Sequence, residues 1–371
     1  MPERERRLAW EQVLAWRMAR HHLLVRSNPQ RLARVAGEVC GLHAQVMSSA
    51  QLSAWARIDN LPPDAVDRAL WQRRTLVKLW AARGTLHLLP ATDVGTWLAA
   101  LSTQTKFGNA GGGEMNNLTA AIGAALDGRV LSRDDLADEV ARITGDPSHA
   151  EKIRFSWGSW LKAASFRGLI CFARSDGNRV RFTSVETWLR RKVDRPDPHA
   201  ALREITLRYL AAYAPATPEQ VAGWWVGPPT RQRGKRMLDA LGGDAVEVSV
   251  DGTPAWALPQ DVGEMSRGGL PDMARLLPAF DPWTIGVPRH LPVLDPAYRS
   301  RVFRPQGWIS PVLAVNGRIA GVWRHTHTDG RVTVELEPFN RLPPWACRQL
   351  DAEARRLAAH LGADLTIAVA G

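Results

Sequence analysis

The chain has 371 residues, of which 45% are hydrophobic and 23% are charged, a balance that is typical of a folded globular protein and excludes a disordered one. Its 48 Lys and Arg residues exceed its 37 Asp and Glu residues, so the formal net charge at pH 7 is +11. This excess favours polyanionic partners, nucleic acid first, because long-range attraction and counterion release both strengthen their binding.

The first predicted unit, residues 1–115, consists of helices followed by a pair of strands. Apolar residues recur at helical spacing over residues 10–24, 29–40, 49–58 and 64–74, and strands are predicted over residues 76–80 and 85–89. Helices followed by a strand, a turn and a second strand are typical of a winged helix-turn-helix unit.

His43 and Gln45 lie in the connection between the second and third of these helices, just after Gly41. In a helix the two side chains would point about 200° apart, so they can act together only if the segment is extended or turns once Gly41 has ended the helix. Loops on a rigid scaffold often carry catalytic residues, although the same two residues also fit an ordinary connection. The pair is a candidate site.

The hairpin of the first unit carries two further candidates. Arg83 lies in its turn and is predicted to contact a DNA phosphate. Strand alternation places His87 on the same face as Thr85, where it faces DNA or the His43 segment. The alternative for His87 is a strand histidine that bonds to the backbone or to water.

The second predicted unit, residues 116–195, repeats this plan. Ser132 followed by Asp135 predicts a capped helix over residues 134–143, and a basic helix is predicted over residues 154–167. Strands over residues 169–173 and 180–183 enclose a turn. Their outward face carries three predicted contacts to the phosphate backbone, which are Arg174, Arg179 and Arg181.

The third predicted unit, residues 196–265, follows a proline-rich linker at residues 194–198. Helices are predicted over residues 202–213 and 217–225, and the next helix carries Arg231 and Arg233, both predicted to contact DNA. Strands over residues 245–250 and 255–258 flank Asp251-Gly252, a strong hairpin signal.

The last predicted unit, residues 266–371, contains short strands with hairpin turns at Asn316-Gly317 and Asp329-Gly330. Strands are predicted over residues 302–303, 308–315, 318–323, 332–336 and 365–369, with a helix over residues 345–361. They predict a small barrel or a curled sheet. Arg324 either contacts a phosphate or pairs with an acid of this sheet. The predicted fold class is α+β: three tandem winged helix-turn-helix units followed by a small C-terminal β-barrel.

Cysteine usage and hydropathy indicate the compartment. Cys40, Cys171 and Cys347 show no CxxC pair, and no apolar run of about 18 residues is present. We therefore predict reduced thiols in a cytoplasmic protein without a membrane partner. An isolated His325-x-His327 pair does not predict a metal site, and no cofactor is expected.

Several stretches resemble the AlkZ-like winged-helix DNA glycosylases, a family whose members remove alkylated bases from DNA. The resemblance is carried by Gly41-Leu42-His43-Ala44-Gln45 and by residues 51–57, 79–88, 276–281, 307–312 and 316–324, in that order along the chain. It implies tandem winged helices, a C-terminal barrel and double-stranded DNA with alkylated bases as the partner. The family's usual motif is Gln-x-Gln or Gln-x-Asp, so the chain departs from it at His43. A His-x-Gln motif resembles the branch linked to self-resistance against DNA-alkylating natural products.

The resemblance implies a glycosylase acting in base excision repair, but the role of His43 cannot be carried over from the family's glutamine. The chemistry of the reaction instead suggests His43 as the base or water-orienting group and Gln45 as its co-orienter. Because this scheme requires no Lys, we expect a monofunctional enzyme. N7-alkylguanine, including bulky genotoxin adducts, is the expected substrate, and an abasic site is the expected product. Lysines such as Lys78 and Lys106 leave a lyase open. The main alternative is a non-enzymatic winged-helix transcription regulator, and a protein-docking scaffold is a more distant one. We expect a monomer, associated with the nucleoid.

Overall fold

The computed structural model describes residues 7–104, 112–155, 158–286 and 293–369, which form an α+β fold. The chain divides into two compact units. Unit 1 comprises Met1–Val66, Tyr209–Thr217 and Gly242–Gly371, and unit 2 comprises Asp67–Arg208 and Pro218–Leu241. The four domains predicted from the sequence, and the three boundaries between them, remain predictions.

Runs of helices are separated by single strands and by hairpins along the chain. The α-helices are α1 (Trp10–Arg20), α2 (Leu32–Glu38), α3 (Met47–Arg57), α4 (Ala65–Asp67), α5 (Val94–Ser102), α6 (Gly113–Leu126), α7 (Arg133–Thr144), α8 (Ser148–Phe155), α9 (Ser159–Phe166), α10 (Val185–Leu189), α11 (Pro198–Tyr213), α12 (Pro218–Trp224), α13 (Arg231–Asp239), α14 (Pro259–Arg267), α15 (Pro282–Gly286), α16 (Arg299–Val302) and α17 (Pro344–Leu361). The strands are β1 (Arg7–Leu8), β2 (Leu42–His43), β3 (Leu76–Trp80), β4 (Leu86–Pro90), β5 (Leu131–Ser132), β6 (Cys171–Asp176), β7 (Arg179–Thr183), β8 (Val246–Val250), β9 (Thr253–Ala257), β10 (Ala274–Leu277), β11 (Val312–Val315), β12 (Arg318–Thr328), β13 (Arg331–Pro338) and β14 (Asp364–Val369). A π-helical turn, Arg68–Gln72, precedes β3.

In unit 1, β8 and β9 form the hairpin that Asp251-Gly252 predicts, and β1 pairs with β8 in parallel. Both turn residues have positive φ, 46° and 85°, as a tight two-residue hairpin turn requires. A second sheet has the strand order β10-β11-β12-β13-β14 and packs against α17. Its two hairpins turn at Asn316-Gly317 and Asp329-Gly330, as predicted.

This second sheet does not form the predicted C-terminal β-barrel. Within the described part of the chain, its outer strands β10 and β14 pair only with their sheet neighbours, so the sheet stays open. The predicted strand over residues 302–303 is also wrong, because Val302 ends α16. Phe303 makes only an isolated bridge to Ile309. Helix α17, predicted over residues 345–361, is present and packs against this sheet.

In unit 2, β3 pairs with β4, and β5, β7 and β6 form a sheet in that order. Ser132 caps α7 by accepting a hydrogen bond from the backbone N–H of Asp135 at 3.1 Å, as its sequence predicts. The single basic helix predicted over residues 154–167 is instead two helices, α8 and α9. Gly158, with φ 87°, begins the second of them, and residues 156 and 157 lie outside the described part of the chain.

A fully buried ion pair joins α3 to the segment after β10 in unit 1. Arg57 Nη1 and Nη2 donate to Asp281 Oδ2 and Oδ1, both at 2.7 Å, and each side chain is 0% exposed. Arg57 Nη1 also donates to the Ser53 carbonyl at 2.9 Å, and Asp281 Oδ1 accepts from the Trp283 N–H at 2.9 Å. The bidentate geometry and the additional bonds offset the cost of removing both charges from water.

We expect Asp281→Asn to lower the free energy of unfolding by about 3–5 kcal/mol, because Arg57 would keep its buried charge without a matching carboxylate. Urea denaturation followed by tryptophan fluorescence measures the change. Asp351→Asn is the matched control, since Asp351 pairs with Arg355 at an exposed position of α17, and such a pair contributes less than about 1 kcal/mol. Equal, small losses in both variants would contradict the prediction.

Candidate active site

The segment that carries His43 and Gln45 leaves α2 through two consecutive residues in the left-handed region. Cys40 has φ 58° and Gly41 has φ 97°. The Gly41 N–H donates to the Ala36 carbonyl at 2.7 Å and thereby ends the helix. His43 then lies in the short strand β2, and α3 begins two residues after Gln45. The segment therefore turns at Gly41 and is extended at His43, which is the condition for the side chains of His43 and Gln45 to act together.

The two motif residues differ in their access to solvent. His43 is 5% exposed, Ala44 is 0% exposed and Gln45 is exposed. The imidazole therefore stands at the edge of the unit 1 core, while the carboxamide reaches solvent. Such an arrangement suits a general base whose ring is held by packing, next to a polar group that is accessible to substrate and water.

The His43 ring is stacked on an aromatic side chain that the sequence analysis missed. The ring centroids of His43 and Phe280 are 5.0 Å apart and their planes differ by 15°. Trp308 contacts Phe280 edge-to-face: the ring centroids are 4.9 Å apart and the ring planes differ by 76°. The Trp308 side chain is 43% exposed. Stacked and edge-to-face contacts of this kind favour one orientation of the rings.

Phe280 occupies its position because of its neighbours. It belongs to a small apolar cluster with Ala279 and Ile309, against which Val46 also packs. Its φ of 55° is uncommon for a residue with a side chain, and the next residue, Asp281, is fixed by the buried pair with Arg57. In the sequence, residues 276–281 are recognisable only by their resemblance to a known family. No local signal connects them with His43.

The hairpin residues Arg83 and His87 are less accessible than expected. Arg83 is half-buried in the turn with φ 56°. His87 is 3% exposed, and its Nδ1 lies 3.0 Å from the Thr85 carbonyl oxygen. This burial favours the alternative of a backbone-bonded strand histidine, and a DNA contact by His87 remains a prediction.

The three arginines of the β6–β7 hairpin lie where the sequence predicts a basic ribbon. Arg174 and Arg179 are exposed, and Arg181 is half-buried. Arg181 Nε donates to the Arg174 carbonyl at 2.8 Å, which holds the two strands together near the turn. The hairpin therefore presents guanidinium groups of unit 2 to solvent.

The remaining predicted DNA contacts all bond within the protein. Arg231 pairs with Glu219 at 2.9 Å, and Arg324 donates to Glu335 on the neighbouring strand at 2.9 Å, which favours the pairing alternative considered for it. Arg233 Nη2 donates to Gln104 Oε1 at 2.6 Å, and burial lowers the pKa of Arg233. Arg233 therefore bonds within unit 2, and its contact with DNA remains a prediction.

Lys78 on β3 is a partly buried lysine. Burial lowers its pKa to about 8, and its Nζ lies 4.9 Å from the centre of the Phe172 ring. Lys106 lies outside the described residues. No three His, Cys, Asp or Glu side chains in the described ranges come together as metal ligands would. Among the described helices, none is both long and apolar enough to cross a membrane.

Comparisons with known proteins agree over nearly the whole chain. The family described as DNA glycosylase AlkZ-like matches residues 36–360. A protein of Streptomyces sahachiroi named interstrand DNA cross-link repair glycosylase is 33% identical over 365 residues, covering 94% of this chain and 96% of that protein. The solved structure of Streptomyces sahachiroi DNA glycosylase AlkZ is similar with a TM-score of 0.86 and 31% identity, covering 98% of this chain and 100% of that chain.

Proposed function

The chain belongs to the AlkZ-like DNA glycosylase family and is a DNA glycosylase, and we propose that it hydrolyses the N-glycosidic bond of alkylated purines, foremost N7-alkylguanine. Bulky genotoxin adducts are included in the proposed substrates. The product is an abasic site for base excision repair, and the biological role is self-resistance. The observation that carries the proposal is His43, held against Phe280 at 5.0 Å beside the exposed Gln45.

The chemistry of the lesion explains why so few groups are needed. Alkylation at N7 leaves a positive charge on the base and weakens the glycosidic bond, so the departing base needs little general acid. The enzyme holds the lesion, stabilises an oxocarbenium-like sugar and directs water to C1′. In our proposal His43 accepts the proton of that water, and Gln45 accepts a second hydrogen bond from it.

Phe280 has a positioning role in this proposal. A histidine on a two-residue strand would otherwise sample several ring orientations, which lowers the fraction of time in which its lone pair faces the water. The stack with Phe280 covers one face of the imidazole, and the cluster with Ala279 and Ile309 holds Phe280. The apolar cover also keeps bulk water from that face of His43.

We further propose that the helix and hairpin units act as three winged helices on double-stranded DNA. The outward-facing Arg174 and Arg179 of the β6–β7 hairpin support this for the second unit. The other proposed DNA contacts are made by side chains most of which already bond within the protein. They are Arg83, Arg181, His87, Arg231, Arg233 and Arg324. The similar protein from Streptomyces sahachiroi is named for interstrand cross-link repair, which makes a cross-linked duplex the second substrate to test. A cytoplasmic, nucleoid-associated monomer is proposed.

We expect His43→Ala and Gln45→Ala each to slow base release by about 10²- to 10⁴-fold, the usual contribution of a positioned acid–base group. The measurement is single-turnover release of base from a duplex containing N7-methylguanine at neutral pH. His199→Ala is the matched control, because His199 is an exposed histidine of unit 2 at the start of α11. Full activity of His43→Ala would refute the assignment.

We expect Phe280→Ala to slow base release about three- to tenfold, because an aromatic stack contributes roughly 0.5–1.5 kcal/mol. Phe280→Tyr, which keeps the ring, retains most of the rate, and both variants keep the wild-type dissociation constant for duplex DNA. Single-turnover rates and DNA binding are measured together, with thermal unfolding as the check of folding. A loss of DNA binding equal to the loss of rate would show that Phe280 does not act through His43.

The monofunctional mechanism predicts that sodium borohydride traps no covalent complex with DNA during turnover. Lys78 is the sharpest candidate for a Schiff base, since burial lowers its pKa to about 8 and a neutral amine is the nucleophilic form. Lys78→Ala is therefore expected to release base at the wild-type rate. A trapped complex that disappears in Lys78→Ala would replace the hydrolase with a lyase.

A further inference from the structure

A cavity in unit 2 is lined mainly by arginines. Its volume is about 430 Å³, and its lining includes Arg73, Arg74, Arg190 and Arg191 together with Gln72 and apolar atoms. None of the lining residues is acidic. Four arginines that line one cavity without a carboxylate bring like charges together, which is electrostatically unfavourable unless an anion joins them.

The backbone brings the two pairs of arginines together. Arg73 and Arg74 follow the π-helical turn Arg68–Gln72, directly before β3, and Arg190 and Arg191 follow α10. Arg74 and Arg190 have φ values of 55° and 54°. Such left-handed residues with side chains are uncommon, and they are concentrated at ligand-binding sites where the surrounding structure holds them in place.

Two of the guanidinium groups are already held in place. Arg74 Nη1 donates to the Trp188 carbonyl at 2.9 Å, and the Arg74 guanidinium lies 4.6 Å from the centre of the Trp188 ring. Arg191 Nη2 donates to the Ala91 carbonyl at 3.0 Å. Because these side chains are ordered before any ligand arrives, binding costs them little further conformational entropy.

Arg74 also retains an unused donor. Its Nε is buried and has no hydrogen-bond partner, and a buried donor without a partner is costly. Burial and the like charge of Arg190 both lower the pKa of Arg74. In the described part of the chain, neither Arg73 nor Arg190 pairs with an acidic side chain, whereas the neighbouring Lys192 pairs with Glu186 at 3.5 Å.

We propose that this four-arginine pocket binds a phosphate group. A tetrahedral phosphate presents oxygens to more than one planar guanidinium at once, whereas a carboxylate occupies a single one. The phosphate comes either from the DNA backbone or from a free phosphate or oligophosphate. Binding of a DNA backbone phosphate rests on the proposed action on DNA, whereas binding of a free phosphate or oligophosphate does not.

The test compares the pocket variant Arg73→Gln/Arg190→Asn with a control that loses the same charge. Asparagine tolerates the left-handed conformation at position 190. The control is Arg142→Gln/Lys192→Gln, which removes two exposed cations of unit 2 that lie outside the pocket and pair with Glu139 and Glu186. Arg73→Gln alone is the substitute if the double variant unfolds, because Arg73 is exposed and has a helical backbone.

Isothermal titration calorimetry with inorganic pyrophosphate tests whether the pocket binds a free oligophosphate. The expected result is binding by the wild-type protein and by the control, with an affinity at least tenfold weaker in the pocket variant. The salt dependence of binding to an undamaged duplex tests the backbone source. Losing one phosphate contact makes the slope of log K against log[salt] shallower by about 1 in the pocket variant relative to the control.

Either result supports the phosphate site and identifies its source. If pyrophosphate does not distinguish the pocket variant from the control, and the two salt slopes are equal, the proposal is wrong. Base release from N7-methylguanine duplex by the same proteins separates this from the proposed function. Excision by a pocket variant with unchanged phosphate binding overturns the pocket alone, whereas absent excision in the wild-type protein overturns the enzymatic proposal alone.

Discussion

The buried ion pair between Arg57 and Asp281 is the constraint on which the candidate site depends. Removing two charges from water costs several kcal/mol per ion, so the pair is stable only in its bidentate geometry. Arg57 ends α3, which begins two residues after Gln45, and Asp281 directly follows Phe280. One interaction therefore joins the helix that follows the His43 segment to the residue next to Phe280.

This arrangement is consistent with the proposed role of a short motif at the edge of a core. His43 is covered on one side by Phe280 and the apolar cluster, whereas Gln45 remains exposed. Burial holds the ring of His43 in one orientation, and exposure makes the side chain of Gln45 accessible to water and substrate. A cationic leaving base removes the need for a separate general acid, so two polar side chains suffice for the proposed hydrolysis. In the proposed reaction, an imidazole at position 43 is a group that can accept a proton at neutral pH.

Local signals in the sequence predicted local structure well. Asp251-Gly252, Asn316-Gly317 and Asp329-Gly330 all form hairpin turns, and Ser132 caps α7 as its spacing indicates. The same sequence did not predict the open edge of the C-terminal sheet, because closure depends on how strands far apart in the chain meet. It also could not indicate that Phe280 stacks on His43. That contact depends on a left-handed backbone at a phenylalanine and on a buried salt bridge, and neither leaves a periodic pattern.

The net charge of +11 overstates how much basic surface is available to DNA. Arg231, Arg324 and Arg233 are directed to Glu219, Glu335 and Gln104 of their own chain, and such pairs hold a guanidinium at one place on the surface. A basic residue contributes to polyanion binding in proportion to the counterions that it releases, and an arginine that already faces a carboxylate releases fewer. The four-arginine pocket is the opposite case, since four arginines and no acidic residue line the cavity. The placement of the acids, more than the number of arginines, therefore determines which surfaces of this protein attract phosphate.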